Sequence, residues 1–337
     1  MRRNFLIGTL AAAILACTGT PAFADANVLK ISHQFPGGTI DEGDFRDRLT
    51  RKFAAEVEKR TKGTLKFQIY PGSSLMKTNA QFSAIRRGAL DLTLYPLPYA
   101  GGEVAELNIG LMPGLVTSYA QAATWKNAEV GKAMTALLAE KGVIIVSWVW
   151  QAGGVASRNA PLINPEDAKG MKVRGGSREM DMILKAAGAA VLSLPSNEIY
   201  AAMQTGAADA AMTSSTSLIS FRLEEVSKHL TTGRGQAYWF MLEPLLMSKQ
   251  VFDKLPADQQ KTIMDVGAEL EKFGAEQAKI DDKVVADIYT KAGAKIYDLD
   301  ANAIKKWQAL ARETAWKDYA EKSPGCAKML QLAEKTL

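Results

Sequence analysis

The sequence Met171-Lys172-Val173-Arg174-Gly175-Gly176-Ser177 contains the transition that decides the fold. Its first four residues are typical of a short strand, and the residues after Ser177 predict a helix that begins at once. Two glycines and a small capping residue leave backbone N–H groups free to bind an anion at the start of this helix. Arg174 can add a planar guanidinium that binds a carboxylate through two hydrogen bonds. The segment therefore predicts an α/β unit with an anion-binding loop.

The alternative role for Arg174 is structural. A protein carboxylate, such as that of Asp209 or Glu198, could pair with the guanidinium, and the residues alone leave this alternative open. Arg158 and Arg178, which flank the same region, are expected to be surface groups.

Strand and helix patterns alternate on both sides of this segment. A β-α-β-α-β series covers residues 28–95, and a second series begins with the apolar run at 143–150. Residues 84–91 and 202–209 resemble each other, since in both a helix stops at a glycine and an aspartate precedes the next strand. About 310 mature residues exceed the size of a typical single core. The sequence therefore predicts an α/β fold with two lobes.

The predicted organisation has four parts: a signal peptide at 1–24, a first lobe at 25–122 to which 235–251 returns, a second lobe at 125–232, and a helical segment at 252–337 that bridges both lobes. In the last part we expect a helix at 260–291 that touches both lobes. A short strand is predicted at 295–299, and an amphipathic helix at 301–322.

The N-terminus has the features of an export signal. Arg2 and Arg3 precede an apolar run, and Ala22-Phe23-Ala24 has the form of a signal-peptidase site, so we expect a periplasmic protein exported by a cleavable signal peptide. Lipidation at Cys17 is the alternative. Cys326 is the one other cysteine, so the mature chain cannot form an internal disulfide. No later apolar run approaches the roughly 20 residues of a membrane helix.

Composition and motifs exclude several classes of function. The 41 lysines and arginines nearly balance 36 acidic residues and are dispersed, which argues against nucleic acid as a partner. His33 and His229 lack neighbours at metal-ligand spacing, and no nucleophile elbow, phosphate loop or dinucleotide fingerprint is present. We therefore expect no enzyme, no metal site and no cofactor. The interleaved charges from Arg46 to Arg60, and the pairs Asp41-Glu42 and Asp281-Asp282, are expected to face solvent.

Aromatic residues provide further candidates for a ligand site. They lie within or at the ends of predicted strands, where ligand crevices form in open α/β sheets, although each is equally typical of core packing. These residues are Tyr95, Trp148, Trp150, Trp239 and Phe240.

Two longer segments carry a resemblance to a known family. Asp167-Ala168-Lys169-Gly170-Met171-Lys172-Val173-Arg174 is similar to its D-L-K-G-L-K-I-R segment, and Glu198-Ile199-Tyr200-Ala201-Ala202-Met203-Gln204-Thr205-Gly206-Ala207-Ala208-Asp209 to its E-V-Y-T-A-L-Q-x-G-x-x-D-G segment. The chain resembles the solute-binding proteins of tripartite ATP-independent periplasmic (TRAP) transporters. The resemblance implies a periplasmic binding protein fold with an interlobe ligand cleft and helices spanning both lobes. It also implies that Arg174 binds a ligand carboxylate, and that Ser177 and Thr213 lie nearby.

Departures from the family pattern bear on the ligand. Many relatives have a second arginine where Ala152-Gly153-Gly154 stands, and an aromatic residue where Ser196 stands. The loss of one guanidinium favours a monocarboxylate or a hydroxylated acid. Further ligand contacts are expected from Tyr95, Trp150, Gln151, Thr213, Ser214 and Trp239.

The implied function is that of a receptor. It would capture a small organic acid and deliver it to the small and large membrane subunits of a TRAP transporter. An ABC-type or sensory periplasmic binding protein of similar build is the alternative, because different machines can share one fold.

Overall fold

The computed structural model describes residues 27–337. The predicted signal peptide at 1–24, including Cys17 with its alternative lipidation, lies outside the described residues. None of the helices in the described part combines the length and apolar character needed to cross a membrane.

Strands and helices alternate as the sequence predicts. The strands are Asn27–His33 (β1), Leu65–Tyr70 (β2), Leu92–Leu94 (β3), Val143–Ser147 (β4), Trp150–Gln151 (β5), Gly153–Ser157 (β6), Lys172–Arg174 (β7), Ala190–Leu192 (β8), Ala210–Ser214 (β9), His229–Thr232 (β10), Met241–Leu242 (β11), Leu245–Ser248 (β12) and Lys295–Asp298 (β13). The α-helices are Phe45–Arg60 (α1), Thr78–Arg86 (α2), Tyr119–Thr124 (α3), Glu129–Glu140 (α4), Arg178–Ala186 (α5), Ile199–Gln204 (α6), Ser215–Ser220 (α7), Lys249–Phe252 (α8), Ala257–Lys291 (α9), Ala301–Ala311 (α10), Lys317–Lys322 (α11) and Pro324–Glu334 (α12).

Two separate sheets form the cores of two lobes, so the expected α/β fold is confirmed. The first sheet has the order β2-β1-β3-β12-β4, and the second has the order β13-β10-β6-β9-β7-β8. On the first sheet, α1 buries the apolar stripe that its four-residue spacing predicts. The residues of that stripe are Phe45, Leu49, Phe53 and Val57.

One strand belongs to a different lobe from the one expected. The predicted second lobe at 125–232 includes β4, but β4 pairs antiparallel with β12 in the first sheet. An apolar run gives no information on which sheet a strand joins, because a strand buried on both faces looks alike in either. β12, in the segment 235–251, also pairs with β3. The first sheet is thus assembled from three distant parts of the chain.

The lobes are connected in two ways. β5 pairs with β11 in a two-stranded ribbon on the chain segments that pass between the two sheets. The helix α9, about 50 Å long at 1.5 Å per residue, packs against α1 of the first lobe and α7 of the second. Gly267 lets this helix approach β4, because a Cβ there would overlap the carbonyl oxygen of Val146.

The last helices also contact both lobes. Trp316 Nε1 donates to the carbonyl of Pro113 at 2.7 Å, and Trp307 Nε1 donates to that of Ile163 at 2.8 Å. The single helix predicted at 301–322 is interrupted by a π-helical turn at Arg312–Trp316. The strand predicted at 295–299 is present as β13, at the edge of the second sheet.

Candidate functional site

The predicted site residues lie where the two sheets face each other. In the first lobe, the carboxyl ends of β1 and β3 lead into Gln34 and Tyr95. In the second lobe, β7 ends at Arg174, and β9 ends at Ser214. Ligands of open α/β sheets bind at this edge of the strands. The topology therefore places the candidate site between the lobes.

Arg174 is buried at this junction, with 3% of its surface exposed. Its Nε donates to the carbonyl of Leu194 at 3.0 Å, and one terminal nitrogen donates to that of Met212 at 2.8 Å. The other terminal nitrogen donates to the Tyr99 hydroxyl of the first lobe at 2.7 Å. All three acceptors are neutral. No carboxylate within residues 27–337 forms an ion pair with this guanidinium.

The structural alternative for Arg174 does not hold in the described part of the chain. Asp209, a suggested partner, instead accepts a hydrogen bond from the backbone N–H of Lys172 at 2.9 Å. Gly176 is required beside the guanidinium, because a Cβ there would lie 2.7 Å from a terminal nitrogen of Arg174. Its φ of +100° also favours glycine. The glycine loop thus holds the guanidinium between the lobes without an ion pair in the described chain, and the nearby carboxyl of Asp181 interacts with it only through its charge.

Ser177 caps the helix that follows. Its Oγ accepts a hydrogen bond from the backbone N–H of Met180 at 3.1 Å, as predicted for the start of α5. In the first turn, Asp181 accepts from Ser193, and burial raises the pKa of the Asp181 carboxyl. Ser177 and Asp181 both border an interlobe cavity.

This cavity has a volume of about 530 Å³. Tyr99, Gly176 and Leu194 form part of its wall, and each of them contacts the Arg174 guanidinium. Both lobes contribute polar side chains to the lining, and three cationic side chains also border it. The polar residues are Asn79, Asn108, Ser177, Asp181 and Ser193, and the cations are Arg178, Lys185 and Lys322.

Thr213 and Trp239 lie beside β6, and neither of them borders this cavity. Thr213 is buried and pairs with Gly154. The indole of Trp239 lies over Gly153, where a Cβ would be 2.5 Å from its Cη2 atom. A side chain at Gly153 would therefore collide with Trp239, which accounts for glycine at the place where the resemblance implies a second arginine in many relatives.

Tyr95 and Gln34 form a buried polar edge in the first lobe. The register pairs His33 with Leu94, so Gln34 and Tyr95 are adjacent at the strand ends. The Tyr95 hydroxyl and both amide atoms of Gln34 have no hydrogen-bond partner among residues 27–337. Burial raises the pKa of the Tyr95 phenol, and its ring contacts that of Tyr99 edge to face. Unpartnered buried polar atoms are uncommon in folded proteins, so these three atoms are candidates for hydrogen bonds to a ligand or to an ordered water.

Trp150, Gln151 and Ser214 lie closer to the hinge. Trp150 packs edge to face on Trp125, with ring centroids 5.0 Å apart, and borders a second cavity of about 360 Å³ rather than the one beside Arg174. Gln151 donates through Nε2 to Glu243. Ser214 caps α7, accepting from the backbone N–H of Ser217 at 3.2 Å. The structure therefore does not bring these three residues to the wall of the larger cavity.

Two residues at the junction were not predicted. Tyr99 accepts hydrogen bonds from Arg174 and from the backbone N–H of Ser196, so its hydroxyl lies beside the position where the resemblance implies an aromatic residue in relatives. Arg46 was expected on a solvated helix face, but its side chain is completely buried. Helical spacing contains the signal, since Arg46, Leu49 and Phe53 follow each other at i, i+3 and i+7 on the apolar stripe.

The expectation of solvent exposure is also wrong for Asp282, and Asp281 beside it is half-buried. Asp282 is 2% exposed and accepts a hydrogen bond from the Tyr119 hydroxyl at 2.6 Å. Asp281 accepts from Thr216 at 2.6 Å, and burial raises its pKa to about 6. Both residues are on α9, whose central turns are covered by both lobes.

Comparison with known proteins decides the family. The family described as bacterial extracellular solute-binding protein, family 7 (DctP), matches residues 39–323, which is most of the chain. The chain belongs to the DctP family of TRAP solute-binding proteins.

Similar proteins agree with this assignment. A solute-binding protein from Albidiferax ferrireducens is 72% identical over 316 residues, which cover 94% of each chain. The C4-dicarboxylate-binding periplasmic protein DctP of Rhodobacter capsulatus is 26% identical over 309 residues, or 90% of each chain. A solved TRAP periplasmic solute-binding protein from Rhodoferax ferrireducens, with bound malonate, is 73% identical with a TM-score of 0.90, covering 91% of this chain and 98% of that one.

These findings confirm the resemblance seen in the sequence. The DctP family is one of bacterial extracellular solute-binding proteins, and the relatives named above include a periplasmic C4-dicarboxylate-binding protein and a receptor with bound malonate. The two-lobed fold of this DctP-family chain is that of its solved relatives.

Proposed function

We propose that this receptor captures a small organic acid by binding its carboxylate at Arg174, and that it delivers the acid to the membrane subunits of a TRAP transporter. The single observation that carries the proposal is the charge balance at Arg174. The guanidinium is buried between the lobes and donates to a phenol and two carbonyls, with no carboxylate of residues 27–337 paired to it.

The buried guanidinium of Arg174, unpaired within the described chain, favours the binding of an anion. A buried charge is costly unless an opposite charge accompanies it. A ligand carboxylate supplies that charge, and Arg–carboxylate hydrogen bonds are among the stronger ones in proteins. Tyr99 belongs to the first lobe and Arg174 to the second, so an acid bound here contacts both lobes and favours their closure.

The ligand class we propose is a monocarboxylate or a hydroxylated acid. Trp239 occupies the space over Gly153 where a second arginine would project. The unpartnered groups of Gln34 and Tyr95 suit hydroxyl groups of a ligand. Malonate, bound by the 73% identical relative, is a dicarboxylate and is the rival to this class. In this cavity a second carboxylate would have to reach the lysines of the rim.

Export and partners complete the proposal. The signal peptide expected at 1–24 would take the chain to the periplasm, where the small and large TRAP subunits receive the acid. We propose a binding role without turnover. An ABC-type or sensory receptor remains the alternative, and a neighbouring gene for a P-loop ATPase, instead of genes for two multi-helix membrane proteins, would favour it.

A thermal-shift screen tests the proposal. Short mono- and dicarboxylic acids, with and without hydroxyl groups and including malonate, are added to the purified mature protein. A ligand present at about 100 times its dissociation constant adds roughly 2.7 kcal/mol to stability. We expect a hydroxylated or monocarboxylic acid to give the largest shift, and Arg174→Ala to abolish it. A larger shift with malonate would overturn the ligand class, and an equal shift in Arg174→Ala would overturn the role of Arg174.

A further inference from the structure

A second buried arginine crosses the junction in the opposite direction. Arg46, near the start of α1, is completely buried, and its guanidinium lies 3.7 Å from the centre of the Phe35 ring. Its Nε and one terminal nitrogen donate to Asp44 at 2.9 and 2.7 Å. Asp44 precedes α1 and belongs to the same lobe, so this pair holds the guanidinium in a fixed orientation.

The remaining terminal nitrogen reaches out of the first lobe. It donates to Ser217 Oγ at 3.0 Å and lies 3.4 Å from Ser214 Oγ, and both serines belong to the second lobe. The same nitrogen donates to Glu243 at 3.2 Å. Glu243 lies between β11 and β12, on the segment that passes between the lobes. One side chain thus joins the first lobe, the second lobe and the connection between them.

The contacts of Arg46 separate into permanent and conditional ones. Asp44 is two residues away on the same helix start, so it stays with Arg46 whatever the lobes do. Ser214 and Ser217 belong to the other lobe. A hinge motion that separates the lobes must therefore lengthen the hydrogen bonds from Arg46 to these serines. Hydrogen bonds that form only when the lobes are closed stabilise the closed state by the free energy of those bonds.

We propose that Arg46 is a positioning residue that holds the two lobes together through Ser214 and Ser217, without touching the ligand. The inference rests on the proposed function only for the role of lobe closure, which is to retain the bound acid. Arg46 raises the share of closed molecules with or without an acid, and it slows the release of the acid.

The experiment measures the distance between the lobes directly. Spin labels are placed on cysteines introduced at the exposed positions Lys66 in β2 and Gln204 in α6. Cys326, the one cysteine after residue 24, is buried. Distance distributions are recorded without acid, and again with the acid that gave the largest thermal shift. Arg46→Lys keeps the charge beside Asp44 and Glu243 but loses the fork that reaches the serines.

We expect Arg46→Lys to shift the distribution towards longer distances in both conditions. The ratio of closed to open molecules should fall about tenfold, the equivalent of one hydrogen bond to a charged group. Acid release should accelerate by a similar factor, with little change in the association rate. Ser217→Ala, which leaves both ion pairs of Arg46 in place, should give a smaller shift in the same direction.

The matched control is Arg60→Lys on the same helix. Arg60 is partly exposed and pairs with Glu56 and Glu269, neither of which belongs to the second lobe. The distribution of interlobe distances in Arg60→Lys should equal that of the wild type. Unchanged distances in both Arg46→Lys and Ser217→Ala would overturn the inference. If no acid binds, the proposed function fails, but the distances recorded without acid still decide the role of Arg46.

Discussion

Arg174 and Arg46 are both buried at the junction of the lobes, and both reach across it, yet their surroundings differ. Arg46 is accompanied by two carboxylates, Asp44 and Glu243. Arg174 has only neutral acceptors in the described chain. A neutralised guanidinium can hold protein parts together, whereas an unneutralised one is prepared for an anion. The number of carboxylates ion-paired to the guanidinium therefore separates a structural arginine from a binding one.

Removal of the binding arginine should have the largest effect. In Arg174→Ala the ligand carboxylate loses its main partner in a shielded cleft, at a cost of about 3 to 5 kcal/mol. Calorimetry with the acid identified by the screen should show affinity lower by roughly two to three orders of magnitude. Arg174→Lys should recover part of it.

Melting of the same variants without ligand sharpens the comparison. The melting temperature of Arg174→Ala should fall by a few degrees while unfolding stays cooperative, because three buried hydrogen bonds are lost but no ion pair within the described chain is broken. Collapse of the ligand-free fold would mean that Arg174, like Arg46, is structural.

The protonation of Glu243, which pairs with Arg46, should make the stability of the protein depend on pH. Burial raises the pKa of Glu243 to about 7, although the charge and hydrogen bond of Arg46 lower it. The folded state therefore binds the proton more tightly than the unfolded one. Protonated Glu243 contributes its full stabilisation of the fold below pH about 4.5, the pKa of a glutamate in the unfolded chain. This contribution is lost as the pH rises towards 7, and the free energy of unfolding falls by up to about 3 kcal/mol.

Urea unfolding between pH 5 and 8 measures this loss. The curve of Glu243→Gln should be flatter than that of the wild type over this range. Asp281→Asn is the control, since the pKa of Asp281 is raised only to about 6 and its contribution ends at lower pH. An unchanged slope in Glu243→Gln would contradict the prediction.

A smaller effect should follow from displacing the Arg174 guanidinium without changing its charge. In Gly176→Ala the new Cβ lies 2.7 Å from a terminal nitrogen of Arg174. We expect affinity for the acid to fall about tenfold, together with a loss of roughly 1 kcal/mol of stability from the positive φ.

Gly235→Ala is the matched control. Gly235 has a φ of +102°, and a Cβ there meets no atom within 4 Å. It should lose similar stability and retain wild-type affinity. Equal affinity in the two variants would show that the position of the guanidinium does not depend on Gly176.

The smallest effect is expected for the exposed arginine at the cavity rim. Arg178 is 42% exposed in its side chain and pairs with Asp318 and, at 3.4 Å, with the buried carboxylate of Glu179. An exposed pair such as that with Asp318 contributes less than about 1 kcal/mol. Arg178→Met should change stability by roughly 1 kcal/mol, because Glu179 can take up a proton once its partner is gone. It should lower the association rate of the acid at low salt but not at high salt. A large loss of affinity at high salt would mean that Arg178 contacts the ligand.

The sequence predicts features that depend on neighbouring residues better than features that depend on residues far apart in the chain. Arg174 was found because a strand, two glycines and a cap are consecutive in the chain. Arg46 was missed because its partners are Ser214, Ser217 and Glu243, which are distant in sequence, although helical spacing already placed it on the buried stripe. The lobe of β4 could not be assigned for the same reason, since the neighbour that decides it is β12.

The position of β12 has a consequence for the order of folding. It lies between β3 and β4 in the first sheet, so that sheet stays incomplete until residue 248 has been synthesised. The second sheet draws all its strands except the edge strand β13 from residues 153–232. Sheets closed by distant strands form slowly, because the loop entropy must be overcome first. We expect the second lobe to fold ahead of the first.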